Sequence, residues 1–153
     1  MHFEGKLSID APRERVWTFL TDPNAVSRCA PGLESLEVVE PGRKFRVVTA
    51  IGFGTIKARF TSDVEWTDLE PPRRASMKAH GNAPGSAVDA LSSMVLSDGA
   101  SGGTELSWAA DVSIVGTIAS LAARLMGGVT QKLTGAFFDS VKREIERTTP
   151  AAT

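Results

Sequence analysis

The side chains with the chemistry of metal ligands or nucleophiles are few: His2, Cys29 and His80 stand far apart in the chain. A metal centre needs His, Cys and carboxylates clustered at ligand spacing, and these three show none, so no metal is expected. A Cys–His nucleophilic pair is formally open, but a lone cysteine in a mostly apolar segment is usually a packing residue. His80, beside Gly81, has the chemistry of a general base. Strand alternation turns it away from the face that carries Met77 and Ala79, which leaves a solvated imidazole at the sheet surface. The carboxylates Glu65, Asp89 and Asp111 alternate outward as well, and the chain has no tyrosine. The stretches "GFGTIK" and "GASGG" do not join a strand to a helix, so neither is a phosphate loop. "GFGTIK" reads instead as a bend that re-aims a strand. No catalytic residue is assigned, and the chain is read as a non-enzyme.

The elements that must position any other site follow from hydrophobic spacing. With 153 residues, 42% of them hydrophobic and 23% charged, the chain has the composition of one globular domain. The net charge of −1 gives no basic nucleic-acid surface. One cysteine permits no internal disulfide, and no signal-like N-terminus is seen, so a cytoplasmic place is expected. No apolar run is long enough to span a bilayer.

Phe3, Gly5, Leu7 and Ile9 alternate with Glu4, Lys6, Ser8 and Asp10, the pattern of a half-buried strand. "DAPRERVWTFL" opens a helix that Asp10 could cap, with Pro12 in its first turn. Asp22-Pro23 starts a second short helix, which Pro31-Gly32 stops. Six strands follow: "LESLEVVE", "KFRVVTAI", "FGTIKARFTSDVEWTDL", "RRASMKAHG", "SAVDALSSMVLSD" and "TELSWAADVSI". Tight turns between them imply an antiparallel meander. A last helix runs from about Gly116 to about Arg147, with Ile118, Ala122, Leu125, Val129, Leu133 and Ala136 as its apolar stripe. At 1.5 Å per residue it is ~45 Å long, the only cover large enough for the sheet's apolar face. The expected fold is therefore α+β: a curved antiparallel sheet of about seven strands wrapped around a long C-terminal helix, with two short helices after the first strand. Residues 1–148 form one domain and 149–153 a polar tail.

Several stretches resemble one family. "LTDPNAVSRCAPGLESLE" is similar to the "L-x-D-P…C-x-P-G" opening of CoxG, a subunit of carbon monoxide dehydrogenase, within the START-like (SRPBCC) superfamily of helix-grip folds. "GFGTIKARF", "GSAVDALSSMVL" and "GGTELSWAADVSIVG" resemble its strands. "GTIASLAARLMGGVTQKLTGAFF" resembles its C-terminal helix, including the paired Phe137 and Phe138. The resemblance implies an accessory protein of a molybdenum-containing carbon monoxide dehydrogenase or related hydroxylase. Such a protein would hold a quinone-like hydrophobic ligand between sheet and helix and help couple the enzyme to membrane electron transport. No covalent cofactor is implied. Contact with the inner face of the cytoplasmic membrane would be transient, because the chain ends at Thr153 without the longer tail of some members. Two other readings stand beside this one: a cyclase or aromatase enzyme of the START-like type, and a docking adaptor with a filled core.

The expected cavity wall comprises Phe60, Met77, Met94, Leu106 and Trp108 on the strands and Leu125, Gly128, Val129, Lys132, Leu133, Gly135 and Phe137 on the helix. A filled core would use the same apolar residues. Gly128 and Gly135, seven apart on one edge of the stripe, either make room for a flat ring or let a strand pack closely. Lys132 reaches a quinone carbonyl or snorkels to solvent.

Overall fold

The computed structural model describes residues 1–53 and 55–148; the side chains of Phe53, Ile56, Leu121, Leu125, Met126 and Thr148, and the tail 149–153, lie outside the described residues. Among the described residues are seven strands: β1 (His2–Ile9), β2 (Leu33–Glu40), β3 (Lys44–Phe53), β4 (Ile56–Glu70), β5 (Arg74–Ala83), β6 (Ser86–Asp98) and β7 (Thr104–Gly116). They form one antiparallel sheet in the order β1-β7-β6-β5-β4-β3-β2. Only the β1–β7 pairing is non-local; every other neighbour is a hairpin partner. Helices α1 (Arg13–Leu20) and α2 (Pro23–Ser27) follow β1, and α3 (Ala119–Thr148) closes the chain. This is the helix-grip arrangement that the alternation and the single long helix imply.

Local chemistry explains most boundaries. Asp22 caps α2 by accepting from the Asn24 N–H at 3.0 Å, with Pro23 in the first turn. α1 departs from expectation: Pro12 is its N-cap residue, without a side-chain cap. Asp10 instead gives its backbone N–H to Glu146 Oε2 at 2.8 Å, which ties the start of α1 to the end of α3. "GFGTIK" is not a bend inside a strand. β3 ends at Phe53, β4 starts at Ile56, and the two residues are register partners, so the stretch is the β3–β4 hairpin connection.

The interior holds two packed clusters at opposite ends of α3. In one, Val141 and Ile145 of α3 meet Val16, Phe19 and Leu20 of α1, with Ile9, Leu96, Leu106 and Cys29. In the other, Phe60 and Ala122 are buried among Ile51, Val88, Ile114, Ile118 and Val129. The apolar stripe of α3 thus runs through Ala122, Val129, Leu133, Phe137, Val141 and Ile145. Ala136, expected on the stripe, is exposed. Beyond Leu133 the helix turns its buried side toward α1 as well as the sheet, and this shifts the stripe by a residue.

Gly5 shows how the sheet accommodates a large ring. A Cβ built there would lie 2.8 Å from Trp108 Nε1, so the indole of β7 rests on the bare backbone of its register partner in β1. From that seat Trp108 stacks on Phe138 at 5.8 Å between centroids, and Phe138 meets Phe137 edge-on at 5.0 Å.

Candidate functional site

Between the two packed clusters, α3 stands off the sheet. A cavity of about 450 Å³ lies there, floored by Trp66, Ala75, Met77, Ser92, Met94, Leu106, Trp108 and Ala110. Leu133, Thr134, Phe137 and Phe138 of α3 roof it, and Leu20, Val26 and Pro31 close one side. A second cavity of about 220 Å³ adjoins it beneath α2, bounded by Leu33, Leu36, Phe45, Val47 and Val64 among others. The larger one falls within the size range of small-molecule sites, which are mostly apolar with a few placed polar groups.

No titratable side chain lines either cavity among the described residues. The polar groups are hydroxyls. Thr134 Oγ1 is committed to the Thr130 carbonyl at 2.7 Å, the helix i−4 back-bond. Ser92 is different: it sits on the inward face between Ala90 and Met94, opposite Met77 and Ala110, and its hydroxyl is the group in the larger chamber best placed to bond a ligand oxygen.

Six of the expected wall residues meet here: Met77, Met94, Leu106, Trp108, Leu133 and Phe137. Phe60 and Val129 belong to the packed cluster at the other end of α3. Lys132 is exposed. Gly128 and Gly135 are exposed and outside both cavity walls; a Cβ on either would meet nothing within 4 Å, so neither makes room for the sheet. The Leu125 side chain lies outside the described residues. The expected set lacks Trp66, Ser92, Ala110 and Phe138. Alternation places the first three on the same inward face as Phe60, Met94 and Trp108, so the signal was present. A serine at an inward strand position was the sharpest part of it.

The residues with ligand or nucleophile chemistry lie elsewhere. Cys29 is buried in the α1–α3 cluster, and burial, aided by Glu144, pushes its thiol up; it is a packing residue. Both histidines are on the outer face of the sheet. His2 Nδ1 pairs with Asp111 at 2.8 Å and its Nε2 with Glu4 at 3.2 Å; His80 Nδ1 pairs with Asp89 at 2.6 Å. A shallow hollow of about 910 Å³ crosses that face. Its walls alternate in sign, with Arg46 on Asp63 at 3.0 Å and Lys78 near Glu65 at 3.9 Å. These are solvated ladders of exposed pairs, worth little individually.

The charge pairs set a pH profile. Hydrogen bonds from Asp111 and Glu4 raise His2 above the ordinary 6.5, and Asp89 does the same for His80. A raised histidine contributes stability in full below 6.5 and loses it as the pH climbs through its folded value. Glu34, Glu70, Glu144 and Glu146 are lowered from 4.5 by hydrogen bonds from Arg59, Arg73, Arg147 and Lys142. Their contribution is present above 4.5 and lost as the pH falls through their folded values. Thermal stability is therefore expected to peak between about pH 4.5 and 6.5 and to decline on both sides. In the double variant Asp89→Asn, Asp111→Asn the alkaline decline should flatten. A melting profile across about pH 4 to 9 that is steepest between 4.5 and 6.5 would contradict the assignment.

The family model of CoxG, the G-type subunit of carbon monoxide dehydrogenase, matches residues 5–146, nearly the whole chain. The chain belongs to the CoxG family. No curated protein matches it by sequence. Among solved structures it is similar to a conserved protein from Geobacillus kaustophilus, with 26% identity, a TM-score of 0.89 and 97% of each chain covered. It is also similar to the ZhuI aromatase/cyclase from Streptomyces sp. R1128, with 20% identity and a TM-score of 0.77 over 99% of this chain and 96% of that one. A Thermus thermophilus protein follows at 18% identity and a TM-score of 0.70, covering 98% and 100%. The last two establish the fold alone. The CoxG chain is thus a START-like domain whose helix and sheet enclose an apolar chamber. Among its described residues, no helix is long and apolar enough to cross a membrane.

Proposed function

We propose that this CoxG protein is a non-catalytic accessory subunit that holds a quinone-like apolar molecule between its sheet and α3. It would serve a molybdenum-containing hydroxylase of the carbon monoxide dehydrogenase type by linking that enzyme to membrane electron transport. The observation that carries the reading is the pair of adjoining cavities with no titratable side chain in their walls, in a chain of this family. Trp108, Phe137 and Phe138 offer a flat apolar face to a ring, Met77 and Met94 adapt to its outline, and Ser92 supplies a donor for a ring carbonyl. A bound quinone supplies two-electron redox chemistry; the chain's own part is to bind, orient and shield it. Contact with the membrane surface is brief in this reading, enough to load or release the ligand.

The likeness to an aromatase/cyclase favours one second reading, an enzyme acting on a folded polyketide-like substrate. Acid–base work in a cavity needs a titratable group within reach of the substrate. The absence of such groups from these walls weighs against it.

The deciding experiment is tryptophan fluorescence during titration with a short-chain quinone, alongside Trp108→Phe. Saturable quenching that drops sharply in the variant is expected. Turnover of an aromatic polyketide by the purified protein would select the enzyme instead. Stable association with the hydroxylase without any saturable ligand would select an adaptor whose cavity has no tenant.

A further inference from the structure

The two cavities share four wall residues: Leu20, Val26, Trp66 and Met77. Trp66 and Met77 are direct register partners across β4 and β5, so their side chains stand together on the inner face of the sheet. Leu20 ends α1 and Val26 lies in α2, which puts the opposing pair on the helical corner that covers this part of the sheet. The β4–β5 ladder shifts register immediately after Trp66, a bulge of the kind that re-aims a neighbouring side chain. The chambers on either side differ in chemistry as well as size. The larger holds three aromatic rings and the Ser92 hydroxyl. The smaller, about half its volume, is walled mainly by aliphatic side chains and backs onto β2, the edge of the sheet.

Resting on the ligand-binding reading above, we propose that Trp66 and Met77 are the specificity-determining residues for ligand length. The ring of the ligand lies in the larger chamber and its aliphatic tail passes between the Trp66–Met77 pair and the Leu20–Val26 pair into the smaller one. Tail atoms that fill the smaller chamber add affinity; atoms beyond its end wall at Leu36 and Val47 do not. A buried methylene tightens binding by roughly three- to fourfold, so affinity climbs steeply with tail length and then levels off. The indole of Trp66 is the bulkiest member of the partition and sets the width of the passage, while the unbranched Met77 yields to the tail.

The test is calorimetric titration of wild-type protein, Trp66→Ala and Met77→Phe with benzoquinones carrying straight tails from ethyl to tetradecyl. Neither residue belongs to the packed clusters at the ends of α3, and circular dichroism melts verify that both variants fold. Trp66→Ala joins the chambers, and the longest-tailed probe is expected to gain about tenfold relative to the ethyl probe. Met77→Phe narrows the passage; long tails should lose about tenfold while the ethyl probe stays within about twofold. Saturable binding with the wild-type length profile retained in both variants would overturn the length assignment and leave the ligand-binding reading standing. No saturable binding of any tail length to wild type would overturn both.

Discussion

Ala110→Phe is expected to make the protein more stable and unable to bind. Ala110 lies on the floor of the larger chamber, opposite Ser92 on β6 and Phe3 on β1. A phenyl group projecting from it enters space that the native chain leaves empty. Filling an apolar void recovers packing that the surrounding side chains lack, and such substitutions commonly add about 0.5–2 kcal/mol. For a chain of this size that is a rise of roughly 2–6 °C in the melting midpoint. The same ring occupies the place of the ligand, so quinone affinity should fall by about a hundredfold or more, equivalent to about 2.7 kcal/mol. The opposite signs make the experiment decisive. A substitution that simply damages the fold lowers stability and binding together. Stability that rises while affinity stays at the wild-type value would move the ligand out of this chamber.

Gly116→Ala is expected to have the largest effect on folding of any single methyl addition in the protein. Gly116 ends β7 at φ +103°, a conformation that L side chains rarely adopt. A Cβ there would fall 2.1 Å from the Gly85 carbonyl oxygen and 2.6 Å from the Ser86 Cα, both backbone atoms with no freedom to step aside. The same carbonyl accepts from Thr117 N–H at 2.9 Å, and the Ile118 N–H reaches Ser86 Oγ at 3.3 Å. These bonds fix the point at which the chain leaves the sheet and enters α3. Strained backbone and overpacking each cost about 1–3 kcal/mol, so a loss of about 3 kcal/mol or more is expected. The melting midpoint should fall by roughly 6–12 °C. A shift below about 2 °C would mean that the β7–α3 corner relaxes freely.

Strand order and facing were readable because nearly every pairing is a hairpin. In a half-buried strand the side-chain period of two leaves one register that buries the apolar set. "TELSWAADVSI" is the clear case: Leu106, Trp108, Ala110 and Ile114 all face inward, as their spacing requires. The length of α3 was readable too. Where the sequence misled, a partner far along the chain decided the outcome. Asp10 looks like a helix cap, but its backbone is held by Glu146, which no local pattern reveals. Ala136 fits the period of the stripe, yet the contact with α1 rotates the buried side toward Phe137 and Val141. The cavity was legible only in part. Wall and filled core draw on the same residue types, and which of the two forms depends on how far α3 stands from the sheet. That distance follows from the packing at its ends, not from residues at its middle. Gly127, Gly128 and Gly135 remain without a partner inside the chain: a Cβ on any of them meets open space, and nothing in the structure explains three glycines there.

The two clusters make α3 a beam resting on supports at either end, with its mid-span unsupported. The load is carried at Ala122 on one side and at Val141 and Ile145 on the other. What lies beneath the span bears little of it. Residues there can be exchanged, enlarged or pared down over evolutionary time while the supports keep the architecture standing. A scaffold built this way can change tenants without being rebuilt, and that licence offers a physical reason why chains with as little as a fifth of their residues in common still enclose the same space.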